Sequence, residues 1–191
     1  MSTAPVHHRS LRDLAEAAEE ATGLRAEVIG GVIMMSPTPG GKHAGVIYQI
    51  RRQLEPGLPP DLVAVENTSV HKPDDPVDYS TPDLTVLAGD FLDSDDWLAD
   101  PAIVELAVEV VSAGNSRKDT ADMPAWYAEA GIPLFLLVDP RLGTWTLYSH
   151  PSDGAYQGVL HGKYAEPIPL PAPVGMTLDT GSLPRYADGG R

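Results

Sequence analysis

The stretch Leu106-Ala107-Val108-Glu109-Val110-Val111-Ser112 constrains the fold of this chain more than any other. It is a run of mostly β-branched apolar residues, bounded by Pro101 upstream and by Ser112-Ala113-Gly114-Asn115 downstream, and it reads as a buried strand. One carboxylate, Glu109, sits in its middle. An ionised carboxylate is costly there unless it is paired, hydrogen-bonded or bound to a metal. A fold that holds this strand must give Glu109 a partner.

Around the strand, the pattern predicts helices and strands in a definite order. Ser10-Leu11-Arg12-Asp13 makes a capping box, opening a helix that runs to about Gly23 with Leu11, Leu14, Ala15 and Ala18 on one face. Leu24 to Val28 and Val32 to Met35 read as a hairpin turned by Gly30-Gly31, because both central residues of such a turn need positive φ. A helix from Lys42 to Leu54 puts His43, Ile47, Ile50 and Leu54 on one face. Strands are expected from Leu62 to Glu66, near Ser69, and from Asp83 to Ala88. Lys72 to Thr81 reads as a polar loop and Asp93 to Asp100 as one helical turn around Trp97. Beyond the Glu109 strand, a helix reaches about Ala130, with Pro124 marking a kink or a start near Asp122 and Gly131 as its C-terminal glycine. Leu134 to Asp139 and Thr144 to Ser149 read as strands joined by a turn at Pro140 to Gly143. The proline-rich remainder, Tyr156 to about Leu183, is expected to hold short strands at best. This order argues a mixed β-sheet with helices on it, an α/β (α+β) domain.

A chain of 191 residues suits one domain. We place it at 10–184, between flexible tails at 1–9 and 185–191. Cysteine is absent, which excludes disulfides, zinc–thiolate sites and a cysteine nucleophile and fits a cytoplasmic protein. No apolar run approaches the roughly 18 residues of a membrane span, and Met1 to Ser10 lacks the apolar core of a signal peptide. The net charge of -14 repels nucleic acid at long range and counts against DNA as a partner.

Two acids occupy strand positions: Asp83, after Pro82, and Glu109, 109 − 83 = 26 residues further on. That spacing leaves room for a loop and a return strand, so neighbouring strands would bring the carboxylates within reach of each other. Paired carboxylates make a hard-oxygen site suited to Mg²⁺ (or Mn²⁺), which polarises a phosphoryl oxygen and acidifies a bound water. The plainer alternatives are a turn aspartate at Asp83 and a salt-bridged core glutamate at Glu109. His43 is either a hydrogen-bonded core residue or a histidine lining the acid site. Asp74, Asp75 and Asp78 lack the spacing of a calcium loop. Gly30-Gly31 and Gly40-Gly41 match neither a P-loop nor a dinucleotide fingerprint, which weighs against a hydrolase of small phosphorylated substrates.

Ser80-Thr81-Pro82-Asp83-Leu84-Thr85-Val86, Val108-Glu109-Val110-Val111-Ser112, Arg117-Lys118-Asp119, Tyr127-Ala128-Glu129-Ala130-Gly131-Ile132-Pro133 and Leu137-Val138-Asp139-Pro140 together resemble the Uma-two family. This is a bacterial family classed with the restriction endonucleases in the PD-(D/E)XK nuclease superfamily. The Glu27 to Ser36 hairpin followed by His43 matches as well, and the resemblance covers roughly Ala26 to Pro140. It implies a restriction-endonuclease-like mixed sheet flanked by helices, with an N-terminal β-hairpin. It also implies Mg²⁺-dependent hydrolysis of DNA phosphodiester bonds, with Asp83 and Glu109 as metal ligands. The lysine that such nucleases carry two residues after the glutamate is Val111 here. The helix position that often carries it in this family is Met123. Neither side chain can orient water or stabilise charge on phosphate. Lys118 or Arg117 could substitute from the turn before the helix, or form a solvated pair. Two functions follow: an endonuclease using Asp83, Glu109, Lys118 and His43, or a nuclease-fold protein that has lost catalysis and acts as a binding or assembly module. The apolar C-terminal segments with Trp145 and Tyr148 are a candidate homodimer interface.

Overall fold

The computed structural model describes residues 10–112 and 122–186. The segment holding Arg117, Lys118 and Asp119 lies outside the described residues, so the expected role of Lys118 has no structural counterpart here.

Helix α1 (Leu11–Thr22) opens with the expected box: Ser10 accepts from the Asp13 amide while the Asp13 carboxylate accepts from the Ser10 amide. Its face is narrower than expected, since Ala15 is buried and Leu14 is exposed. The glycine-turned hairpin is β1 (Arg25–Ile29) and β2 (Val32–Ser36), with Gly30 and Gly31 both at positive φ. Helix α2 (Gly41–Leu54) buries His43, Ile47, Ile50 and Leu54 as its spacing predicts. Strands β3 (Leu62–Val65), β4 (Ser69–Lys72), β5 (Asp75–Ser80), β6 (Leu84–Ala88), β7 (Leu98–Ala99) and β8 (Val104–Val110) follow. Helix α3 (Met123–Glu129) carries Pro124 in its first turn and is followed by Gly131 at positive φ. Strands β9 (Leu134–Asp139), β10 (Thr144–Ser152), β11 (Ala155–Lys163), β12 (Ile168–Leu170) and β13 (Met176–Leu178) complete the chain.

Two sheets organise these elements. One has the order β2-β1-β5-β4-β7, the other β11-β10-β9-β8-β6-β3, and β12 and β13 pair separately. In the larger sheet β8 and β9 run parallel, joined across the segment that contains α3, while its other pairs are antiparallel. Each face of β8 meets a different cluster. Leu106, Val108 and Val110 pack with Val46, Ile50 and Leu54 of α2. Ala107 and Val111 pack with Met123, Trp126 and Tyr127 of α3. Period-two alternation therefore sends Glu109 to the α3 side.

Three expectations are corrected. The stretch expected as a polar loop contains β5, which forms a hairpin with β4 across Pro73 and Asp74, the latter at φ 60°. Its polar Asp78 is buried because it accepts from Trp126 Nε1 and from the Gly30 amide. The helical turn expected around Trp97 comes earlier, as a 3₁₀ turn at Gly89–Asp93. Trp97 instead lies edge-on to Tyr79 with Arg12 over its ring. The C-terminal third holds a full strand, β11, where only short ones were expected. Its Gly158 and Gly162 face Ser149 and Trp145, and the glycine at 162 leaves room for the indole. Trp145 and the half-buried Tyr148, the residues of the candidate interface, both make contacts within the chain. Trp145 is buried and donates to the carbonyls of Lys163 and Glu166, and Tyr148 stacks on Phe135. The packed chain also continues past 184: the Tyr186 amide donates to the Pro140 carbonyl and Arg185 Nη2 to that of Leu142. Among the described residues, no helix is long and apolar enough to cross a membrane.

Candidate active site

Pairing of β6 with β8 sets Leu84 opposite Val108 and Thr85 opposite Ala107, so Asp83 falls opposite Glu109. Directly opposed antiparallel residues project from the same face with Cβ atoms about 5 Å apart. Asp83 Oδ2 accepts from the Val110 amide at 2.8 Å, tying the first acid to the strand of the second. Both carboxylates are almost completely buried. The register, continued one residue past the start of β6, brings Asp83 beside the strand that carries Glu109.

His43 joins them from the first turn of α2. Its Nε2 is buried and lies 3.1 Å from Asp83 Oδ2, within ion-pair distance. Nδ1 is 3.1 Å from the Tyr186 hydroxyl, which fixes the ring from its other side. The histidine is thus a buried, hydrogen-bonded residue and also a neighbour of Asp83, so both of its expected placements describe it.

Other side chains at the site were not singled out from sequence. Glu27, wholly buried on β1, accepts from Ser80 Oγ at 2.8 Å and from the Thr81 amide at 2.9 Å. Tyr127 on α3 donates to Glu109 Oε1 at 2.9 Å and lies 3.3 Å from Ser80 Oγ, so Ser80 and Tyr127 link the two glutamates. Burial first, and then the Glu109 charge, push the Tyr127 hydroxyl well above the ordinary tyrosine range, which keeps it protonated as a donor. Arg25, two residues before Glu27 and on the same strand face, places Nη2 3.9 Å from Asp83 Oδ1. Burial alone would lower the Arg25 pKa, but Glu27, Glu109 and Asp83 hold it above its usual value. Glu27 carried a readable signal: it is a lone carboxylate between Ala26 and Val28 in an apolar strand, the criterion that singles out Glu109.

The donors gathered here are hard oxygens with one imidazole nitrogen beside them. Asp83 and Glu109 are carboxylates that could hold a divalent cation. No group of three or more His, Asp or Glu side chains clusters tightly enough to share one ion among the described residues.

The Uma2 family model, described as "Putative restriction endonuclease", matches residues 11–181. The chain belongs to the Uma2 family. Its fold agrees with a crystal structure from Anabaena variabilis ATCC 29413, described as "a putative nuclease belonging to DUF820". The two superpose with a TM-score of 0.71, over 92% of this Uma2 chain and 97% of the other, at 18% sequence identity. At that identity the likeness speaks to the fold alone. No curated protein matches the chain.

Proposed function

We propose that this Uma2 protein is a Mg²⁺- or Mn²⁺-dependent endonuclease that hydrolyses DNA phosphodiester bonds at the Asp83–Glu109 site. The observation that carries the reading is the approach of these two buried carboxylates from neighbouring strands, beside His43 Nε2 at 3.1 Å from Asp83. A carboxylate pair fits an ion that takes one or two carboxylates and retains water, which is the habit of Mg²⁺. Such an ion would supply polarisation of the phosphoryl oxygen and acidification of water. The chain's own groups do the positioning. Tyr127 orients Glu109 through its hydroxyl, the Val110 amide fixes Asp83, and Tyr186 holds the His43 ring toward Asp83. The test is cleavage of plasmid and single-stranded DNA with Mg²⁺ or Mn²⁺ by the parent, Asp83→Ala and Glu109→Ala. Loss of cleavage in both variants is expected, and activity that survives both removes the assignment.

A second reading, a nuclease scaffold without turnover, is favoured by the complete burial of Val111 and Met123 in the α3 cluster. Met123 lies one helical turn before Tyr127, on the helix face that reaches Glu109. Cleavage by Met123→Lys where the parent has none would select this reading. A parent that already cleaves rejects it.

A further inference from the structure

Buried carboxylates repel a phosphodiester, so a site built from them needs a cation facing the bound phosphate. Among the described residues, Arg25 is the permanently charged group ion-paired to these acids. His43, the other nitrogen base at Asp83, is buried and tied to Tyr186. Arg25 differs in placement. Its side chain keeps 29% exposure, against 6% for Asp83, and it lines an open cavity with Thr81, Pro39, Ala44 and the glutamates Glu16, Glu19 and Glu20. The guanidinium thus stands between the buried Asp83 and this cavity, as its one cation among the described residues. Its 3.9 Å separation from Asp83 Oδ1 exceeds hydrogen-bond length, so Nη2 is attracted to that oxygen without being locked on it. A planar guanidinium also suits the paired oxygens of a phosphate.

We propose that Arg25 is the phosphate-binding cation of this site, contacting non-bridging oxygens of the phosphodiester presented to Asp83 and Glu109. This rests on the endonuclease reading above. It also implies competition: Arg25 and a divalent ion draw on the same carboxylates, so an arriving ion releases the guanidinium toward the substrate.

The test compares the full-length parent with Arg25→Gln and Arg25→Lys. Mn²⁺ alone is titrated by calorimetry, and a labelled single-stranded oligonucleotide is titrated by anisotropy in Ca²⁺. Thermal unfolding controls for folding. R25Q is expected to bind Mn²⁺ at least as tightly as the parent while binding the oligonucleotide about 10- to 100-fold more weakly, as for loss of a charge-assisted pair. R25K should recover part of that loss, because an ammonium replaces the charge but not the fork. If R25Q unfolds, Arg25→Met, which keeps the aliphatic stem, carries the same comparison. Oligonucleotide affinity within about twofold of the parent overturns the inference, on the scale of that expected loss. So does a folded R25Q that loses Mn²⁺ binding too, since Arg25 would then be arranging the acids. Cleavage is scored separately. A parent that binds oligonucleotide through Arg25 without cutting it refutes the endonuclease reading alone, whereas a parent that binds no oligonucleotide overturns this inference.

Discussion

Tyr127→Phe isolates the hydrogen bond that restrains Glu109. The ring is wholly buried, lies edge-on to Trp126 at 5.1 Å and packs on Phe135 at 4.7 Å, and phenylalanine preserves those contacts. What is lost is one hydroxyl that donates to Glu109 Oε1 at 2.9 Å. A hydrogen bond to a charged acceptor contributes about 1.5–3 kcal/mol, and the carboxylate it leaves is nearly inaccessible to water. We therefore expect a loss of ~2 kcal/mol in urea unfolding, or about 4–8 °C in Tm for a chain of this size. In a Glu109→Gln background the same hydroxyl would meet a neutral amide oxygen, and the cost of Tyr127→Phe should fall to about 1 kcal/mol. Urea titrations of the four proteins give both numbers. A loss below about 0.5 kcal/mol, or an equal loss in both backgrounds, would refute the idea that Tyr127 stabilises a charged Glu109.

Three further outcomes are expected. At Asp139, burial raises the carboxyl pKa, but hydrogen bonds from the Arg141 side chain and backbone outweigh it and leave the pKa below the ordinary range. A depressed folded pKa stabilises above the unfolded value of about 3.9, and that stabilisation is lost as pH falls through the folded value. The stability gap between parent and Asp139→Asn, followed by chemical denaturation, should thus hold from about pH 7 to pH 5 and close below about pH 4; a gap that widens on acidification contradicts this. At Gly162, a Cβ would drive into the Trp145 ring well inside van der Waals contact, so Gly162→Ala should cost about 1–3 kcal/mol by thermal unfolding, while neutrality would mean the indole can shift. The charge of -14 opposes counterion release, so oligonucleotide affinity in Ca²⁺ should fall less than about tenfold between roughly 50 and 200 mM salt, and a steep fall like that of a basic DNA binder would count against this surface argument.

The parts of this fold that follow repeating local rules were legible in the sequence. The Ser10 capping box, the Gly30-Gly31 hairpin and the buried face of α2 all stand where spacing puts them. The apolar runs that flank Asp83 and contain Glu109 likewise form neighbouring strands, β6 and β8. What was not legible depends on partners distant in sequence. Asp78 is polar enough to suggest a loop until Trp126 and Gly30 supply its donors. The strand around Gly158 and Gly162 looks weak until Trp145 fills the space that the glycines leave. Glu27 obeys the same local rule as Glu109, a lone carboxylate in an apolar strand, but its donors Ser80 and Thr81 lie far along the sequence. Arg25 matters only once the hairpin is laid against the end of the larger sheet.

That arrangement has a consequence for how the molecule comes together. The chain passes from one sheet to the other through Ser80 to Asp83, and the acids around that crossing are held by amides distant in sequence. Gly30 donates to Asp78, Thr81 to Glu27 and Val110 to Asp83, spanning 48, 54 and 27 residues of sequence. No fragment containing one sheet can form the site, and its assembly belongs to the late, long-range stage of folding. The Thr81 amide, which ties the crossing to Glu27 of β1, should therefore exchange with solvent when the crossing parts from the smaller sheet, and report that free energy.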